Sequence, residues 1–484
     1  MTVAGTIFLI IIAVIVVFLL VLVIRAAAFR PKDTVQPHTG EVPVDTETAV
    51  SNLQQLVRCR TESYEDHSLE DDAEFAKLVH LLPGLYPNVF AQCEYTELAD
   101  RELLFRWKGQ SDARASVLMA HYDVVPVEEE NWAKPPFEGI IEDGVLWGRG
   151  SLDTKVTFNG ILTAANTLIG QGFVPKEDIY MAFSGQEEIN GPGATRAVEY
   201  FRERGIELSM VLDEGGAVVE DVFPGVKERC ALIGIAEKGL MNVEYSVASQ
   251  GGHASAPKAH TPVGILSKAV ANVEAKPMDA HLSEPVVKMF DILGRHAGFG
   301  MKIIFANLWC FKGLLASLTK KTGGELSAMM RTTVAFTQMQ GSKAPNVIPP
   351  TASVVSNIRI NPGETIGSVL AALRSRIGDD AVELKVLGDY ACDPSPISST
   401  DCDGWERVAA AVSGTWEGSI VSPYLMMQCS DSRHYRDYSK KVYKFSAMYM
   451  TKEERGLIHG NNERVRLEEI AKATEFFTRV ILQS

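Results

Sequence analysis

One regularity narrows what this chain can fold into more than any other. Between residues 46 and 213, segments of helical pattern alternate with segments of strand pattern. "TETAVSNLQQLVRC" and "LEDDAEFAKLVHLL" space their apolar residues as helices do, whereas "ELLFRWKG" and "SVLMAHYDVV" read as strands. A helix through "DTKVTFNGILTAANTLIGQG", the strand "DIYMAFSG", the helix "GATRAVEYFRERG" and the strand "LSMVLDEGG" continue the series. Such alternation implies an α/β domain around a mixed, largely parallel central sheet. After about residue 237 the texture changes. The strands "LMNVEYSVASQ", "MMRTTVAFTQMQ", "ASVVSNIRI" and "AVELKVLGD", with helices at "PVGILSKAVANVEA" and "TIGSVLAALRSRI", predict a compact α+β unit with its own antiparallel sheet. From about residue 395 the first pattern returns and ends in the amphipathic helix "LEEIAKATEFFTRVIL". The expected organisation is therefore a catalytic domain split into residues 46–236 and 395–484, interrupted by an insertion over 237–394. No period of 20–50 residues recurs, which argues against a solenoid or propeller.

Ahead of these domains, residues 2–24 carry no charge and are long enough to cross a bilayer core as a helix. A cleavable signal peptide would want cationic residues in front and a shorter apolar region. Nothing basic precedes this run, although "RAAAF" after it offers small residues. The reading is a transmembrane anchor followed by a linker over residues 25–45, whose last sixteen residues hold three prolines. Arg25, Arg30 and Lys32 follow the span, and the positive-inside rule would keep the bulk of the protein in the cytoplasm. Seven scattered cysteines agree, since they lack the even count and spacing of a disulfide framework. A net charge of −14 argues against a nucleic-acid-binding surface.

Residues able to carry chemistry gather at the ends of the expected strands. His121-Tyr122-Asp123 ends one, Glu187 and Glu188 follow another, and Asp213 ends a third; Asp153 enters a helix from "GRGSLDTK". Ligands of open α/β sheets bind beyond the carboxyl ends of strands, so all could face one crevice. His459 in "IHGNNERV" would join them from far along the chain. Taken singly, each has an ordinary explanation: a hydrogen-bonded histidine, a helix N-cap, a glycine turn. Taken together, two imidazoles and several carboxylates suit a hydrolytic metal site, zinc first, with manganese or cobalt as substitutes.

These residues also carry a resemblance. "AHYDVVP", "WGRGSLDTK", "FSGQEEING", "LDEGG", "GGHASAP", "NVIPP" and "IHGNNERV" occur in the order seen in the M20 family of metallopeptidases, over residues from about 45 to the C-terminus. "NLWCF", "MMRTTVAFT" and "APNVIPPTASVVSNIRINPGET" look most like the carboxypeptidase S branch, especially its N-fatty-acyl-amino-acid synthase/hydrolase members. The resemblance implies a zinc-peptidase-like domain with an inserted ferredoxin-like lid and dimerisation domain, and two zinc ions per subunit. His121 and Asp213 would hold one ion, Glu188 and His459 the other, and Asp153 would bridge them; Glu214 takes the place of Asp213 if the alignment slips by one. Asp123 would orient His121, and Glu187 would act as the general base toward water. The Gly148–Gly150 turn would let backbone approach the site. His253 would stabilise the oxyanion, from the partner subunit in dimeric relatives, with Asn346 as a second polar contact. Arg359 would bind the substrate's free carboxylate, with Arg433 as a further candidate. "QCSDSR" around Arg433 departs from the Gly-Thr-Asp form common at this place in the family.

The implied activity is cleavage, or reversible formation, of the amide bond of N-acyl amino acids by a membrane-anchored enzyme, and the resemblance also implies a homodimer in the manner of its relatives. The alternative within enzymes is a carboxypeptidase acting on dipeptides or short peptides. A catalytically silent, membrane-tethered binding protein is the reading outside enzymology, and it would be expected to have lost a ligand or the base. The apolar stretch "FGMKIIFANLWCFKGLLASL", residues 299–318, reads as a buried helix or dimer interface, or else as an apolar wall for an acyl chain or a patch against the membrane.

Overall fold

The computed structural model describes residues 2–32 and 35–484, so residues 33 and 34 of the expected linker lie outside the described residues. Its centre is an eight-stranded mixed sheet in the order Glu94–Leu98, Glu102–Trp107, Glu177–Ser184, Ser111–His121, Leu208–Val219, Val442–Met450, Cys230–Glu237, Ile420–Met426. The four strands from Glu177–Ser184 to Val442–Met450 run parallel to one another, while the Glu94–Leu98 and Glu102–Trp107 edge joins them antiparallel. Helices cover both faces. Leu118, Met181 and Phe183 point into a core with Phe158 and Ile161 of the helix Lys155–Gly170. Their neighbours Val117, Met119 and Ala182 point the other way, onto Ala194, Ala197 and Phe201 of the helix Gly193–Arg204. A strand buried on both sides needs apolar residues at every position, which is why "DIYMAFSG" reads as a continuous run.

A second sheet, fully antiparallel, has the order Thr333–Gln340, Thr351–Ile360, Gly239–Ala248, Glu383–Cys392. Here burial alternates along the strands, because the helices Pro262–Ala275 and Ile366–Ile377 pack on one face only. Both helices start on a threonine whose hydroxyl accepts from the first turn, Thr261 and Thr365.

The segment between these parts belongs elsewhere. Residues 284–330 lie inside the stretch expected as one insertion, yet Val286, Met289, Phe290, Leu293, Phe305 and Met329 pack into the core of the first sheet. The cause is the amphipathic helix Glu284–His296, which lays its apolar face on the strand Ile420–Met426 side of that sheet. Two helices follow, Phe299–Phe305 and Leu308–Thr322, bent by 101° at the break. Phe305 and Leu315 are buried, whereas Phe299, Trp309, Leu314 and Leu318 are exposed.

Among the described residues one helix, Val3–Ala28, is by itself long and apolar enough to cross a bilayer. Its base is tied to the body. Arg25 Nε donates to Ala306 O at 3.2 Å and to Asn307 Oδ1 at 3.0 Å, and Asn307 Nδ2 donates to Leu22 O at 3.1 Å. Phe18 meets Trp309 edge to face, with ring centroids 6.0 Å apart. All seven cysteines are free thiols.

Candidate metal centre

Three parallel strands deliver the first residues. His121 is the last residue of Ser111–His121 and pairs in register with Ser184, the last residue of Glu177–Ser184. The chain then turns tightly: Gly191 N donates to Gln186 O and Asn190 N to Glu187 O, both at 2.8 Å. The buried carboxylate of Asp123 holds this turn, accepting from Glu187 N at 3.1 Å through one oxygen and from Glu188 N at 3.2 Å through the other. A strand would send adjacent side chains to opposite faces. The Asp123-pinned turn instead gives both Glu187 and Glu188 to one cavity, of about 360 Å³, that also holds Asp153, Glu214 and His459.

The third strand, Leu208–Val219, is where Asp213 and Glu214 part. Its pairing with Val442–Met450 skips from Asp213 to Gly216, leaving Glu214 and Gly215 as extra residues in a bulge. Bulges re-aim side chains beside active sites. Glu214 Oε1 comes to 3.3 Å from His121 Nε2. Asp213 turns away and accepts from Ser432 N at 2.8 Å and Glu214 N at 2.9 Å. Of the two acids left open by the sequence, the structure brings Glu214 to the cluster.

Asp153 stands between the two histidines. Its Oδ1 lies 3.1 Å from His121 Nε2, and its Oδ2 lies 3.0 Å from His459 Nε2, which is also 3.0 Å from Glu188 Oε2. His121 turns Nδ1 the other way, 3.0 Å from Asp123 O and 3.4 Å from Asp123 Oδ1. Beneath Asp153, buried Glu463 accepts from Leu152 N at 2.7 Å and Asp153 N at 3.1 Å and pairs with Arg149 Nη1 at 2.6 Å. Gly150 lies in this turn at φ +84°, where an added Cβ would stand 2.8 Å from Val124 Cγ1. Glu463→Ala is expected to lower the unfolding free energy by about 3–5 kcal/mol, since it strands a buried guanidinium without its counter-charge; denaturant titration measures it.

The electrostatics follow from crowding acids in a buried place. Burial, with Asp153 adding, pushes Glu188 up to about 7. Burial raises Glu214 to about 8, with Asp153 adding and His121 opposing. Burial likewise lifts Glu187 well above the usual carboxylate range; His121 pulls against this, and Asp431, Glu214 and Glu188 add to it. Hydrogen bonds to Asp153 and Glu188 hold His459 up to about 11. Burial disfavours a charge on Asp153, but the hydrogen bonds from His121 and His459 outweigh it and hold its carboxyl below the ordinary range. Glu188 Oε1 is buried with no hydrogen-bond partner. Two groupings, His121–Glu187–Glu214 and His121–Asp153–Glu188, each bring three ligand atoms within 4.8 Å of one another. Four acids facing two imidazoles form a donor set that fits divalent cations.

The remaining expected residues lie around or outside this cluster. Arg433 is buried, with Nη1 4.0 Å from Glu187 Oε1 and Nη2 3.8 Å from Asp431 Oδ1. Arg359 Nη1 donates to Cys429 Sγ at 3.5 Å, and Cys429 lines the cavity. His253 and Asn346 are exposed on a separate two-stranded ribbon of the second unit, where Gly252–His253 pairs with Val347–Ile348 and Ala254 N donates to Asn346 O. His253 Nδ1 lies 2.7 Å from Ser255 Oγ. Glu463 and Ser63, whose hydroxyl donates to Asp123, have no counterpart among the residues expected from the sequence. The only sign of Glu463 was its place four residues after His459 in "IHGNNERV".

A mixed α/β sheet with histidines and carboxylates converging at its strand ends defines a metallohydrolase architecture. Residues 117–483 match the model of Peptidase family M20/M25/M40, and the chain belongs to that family of hydrolases. It is 34% identical over 443 residues to the N-fatty-acyl-amino acid synthase/hydrolase PM20D1 of Xenopus tropicalis, covering 90% of this chain and 85% of the relative. It is 30% identical to the probable carboxypeptidase S-like 2 of Dictyostelium discoideum, covering 96% and 91%. Among solved structures, the M20 family metallo-carboxypeptidase Sso-CP2 of Sulfolobus solfataricus shares the fold at a TM-score of 0.66 and 15% identity, covering 90% of this chain and 98% of that one.

Proposed function

We propose that this enzyme is a membrane-anchored, two-metal amidohydrolase. It cleaves, or in reverse forms, the amide bond between a fatty acyl group and an amino acid bearing a free carboxylate. The observation that carries the reaction class is the juxtaposition of Glu187, turned into the cavity by Asp123, with the His121, Asp153, Glu188, Glu214 and His459 donors. His121 with Glu214 would hold one ion, His459 with Glu188 the other, and Asp153 would bridge them, with zinc as the metal that suits the donors. When bound, such ions polarise a carbonyl and acidify water. Glu187 takes the proton from the attacking water and delivers it to the leaving nitrogen, and Arg433 at 4.0 Å stabilises its carboxylate before the first transfer and after the second. Arg359 and the Cys429 rim are the side suited to the substrate carboxylate. His253 and Asn346 stand exposed on their ribbon, which suits a role reached through closure of a lid or from a second subunit. The N-acyl amino acid reading draws on the relative named as a synthase/hydrolase. A retained anchor is supported by Leu22 and Ala26, buried against the body. The carboxypeptidase S-like relative favours a second reading, cleavage of short peptides.

Hydrolysis of N-oleoyl-phenylalanine compared with Gly-Leu by zinc-loaded protein separates the two. Chelation is expected to abolish turnover and added zinc to restore it; activity indifferent to thorough chelation would remove the metal from the mechanism. Stability reports the same site. Glu188 at about 7 and Glu214 at about 8 keep protons in the folded state that an unfolded chain releases near ~4.3. Raised folded values mean that stability falls as pH rises, and His459, raised to about 11, acts in the same direction above its ordinary value. Metal-free protein should therefore melt at lower temperature at about pH 8 than at about pH 6. Zinc, which needs these groups deprotonated, should stabilise more at the higher pH. Scanning calorimetry with chelator and with zinc measures both.

A further inference from the structure

A second cavity, of about 250 Å³, adjoins the metal cavity and shares five wall residues with it: Gly215, Gln428, Met450, Arg455 and Ile458. The rest of its lining is largely apolar. Val219, Phe223 and Leu232 come from the central sheet and its turn, and Met289 and Leu293 from the helix Glu284–His296. Glu325 and Arg455, 3.8 Å apart, are its charged pair. At the common wall, Gly215 sits at φ +144°, where a Cβ would stand 2.4 Å from Met426 Sδ; any side chain there would crowd the junction. We propose that this cavity is the binding site for the substrate's acyl chain, which runs from the scissile carbonyl past Gly215 toward Met289, Leu293 and Phe223.

The outer wall names the kind of occupant. Phe223 packs at a tilt against Phe305, with centroids 4.6 Å apart, and edge to face against Phe290 at 5.6 Å. Phe305 ends the helix whose next residues, Ala306 and Asn307, are gripped by Arg25 at the base of the apolar N-terminal helix. The cavity thus lies between the metal centre and the segment that the anchor holds at the bilayer, the side from which a lipid-derived chain arrives. Methionines at 289, 329, 427 and 450 give the lining side chains that adapt to chains of different shape. The site rests on the amidohydrolase reading above and assigns to it the residues that set acyl length.

The test uses full-length, zinc-loaded protein in detergent and N-acyl-phenylalanines from acetyl to oleoyl. Wild type should gain up to about fourfold in kcat/KM per methylene until the cavity is filled. In Leu293→Trp and Met289→Trp the ratio of oleoyl to short-chain kcat/KM should fall at least tenfold, and in Leu293→Ala the preferred chain should lengthen. A chain-length profile unchanged in all three variants would overturn the site while leaving the reaction standing. So would a flat loss in the tryptophan variants with an unmoved profile in Leu293→Ala. Variants that alter the preferred amino acid, phenylalanine against glycine, without altering acyl length would give the cavity to the amino-acid side chain and equally refute the proposal. Wild-type protein that cleaves Gly-Leu but no acyl amino acid of any length would instead sink the reaction itself.

Discussion

Glu187→Gln should bring turnover down by about 10²–10⁴-fold, the range over which a positioned general base contributes, while metal content stays at the wild-type value. The expectation rests on how the turn after the strand Glu177–Ser184 is built. Asp123 fixes the backbone of both glutamates through one oxygen each, so an amide at position 187 leaves the turn and the side chain of Glu188 in place. Glu188 meets His459 at 3.0 Å, whereas Glu187 faces Arg433 at 4.0 Å. The first is tied into the imidazole–carboxylate chain, and the second is free to exchange a proton. Glutamine keeps the volume and one oxygen but cannot accept a proton in this range. Metal analysis of the purified variant, beside its kcat for an acyl amino acid, decides the matter. A variant with a full complement of zinc and a large residual kcat would mean that another group takes the proton.

Much of this centre was legible in the sequence because its residues follow fixed local rules. Apolar runs ended in His121 and in Glu187-Glu188, and the parallel sheet brings such ends to one edge. Asp153, Glu188 and His459 then meet at about 3 Å although they are far apart along the chain. Other features depend on tertiary contacts with no local pattern. The choice between Asp213 and Glu214 is made by a bulge against Val442–Met450, and one strand alone does not contain that information. Glu463 matters through two backbone amides and a buried guanidinium more than 300 positions away. The helix Glu284–His296 lies in sequence inside the expected insertion, but its apolar face finds the larger core. That single packing choice encloses the second cavity and brings the bent helices to the N-terminal one.

The bulge itself yields the remaining large effect. Glu214→Gln is expected to lower bound zinc and to reduce activity by more than the roughly 10–100-fold that outer hydrogen-bond partners of a metal ligand typically cost. Asp213→Asn should retain its zinc and stay within that range. The difference arises because Glu214 Oε1 faces His121 Nε2 at 3.3 Å, so its charge is available to a cation held by that imidazole. Asp213 is buried and already occupied by Ser432 N and the amide of Glu214, so its work is to hold the bulge in shape. Asparagine keeps an oxygen able to accept one of those amides, whereas glutamine at 214 removes an anionic donor that neither neighbour can replace. Zinc stoichiometry and kcat/KM measured on both variants discriminate between them. If Asp213→Asn were to shed metal while Glu214→Gln kept it, the bulge would be aimed the wrong way, and Asp213 would take the place beside His121.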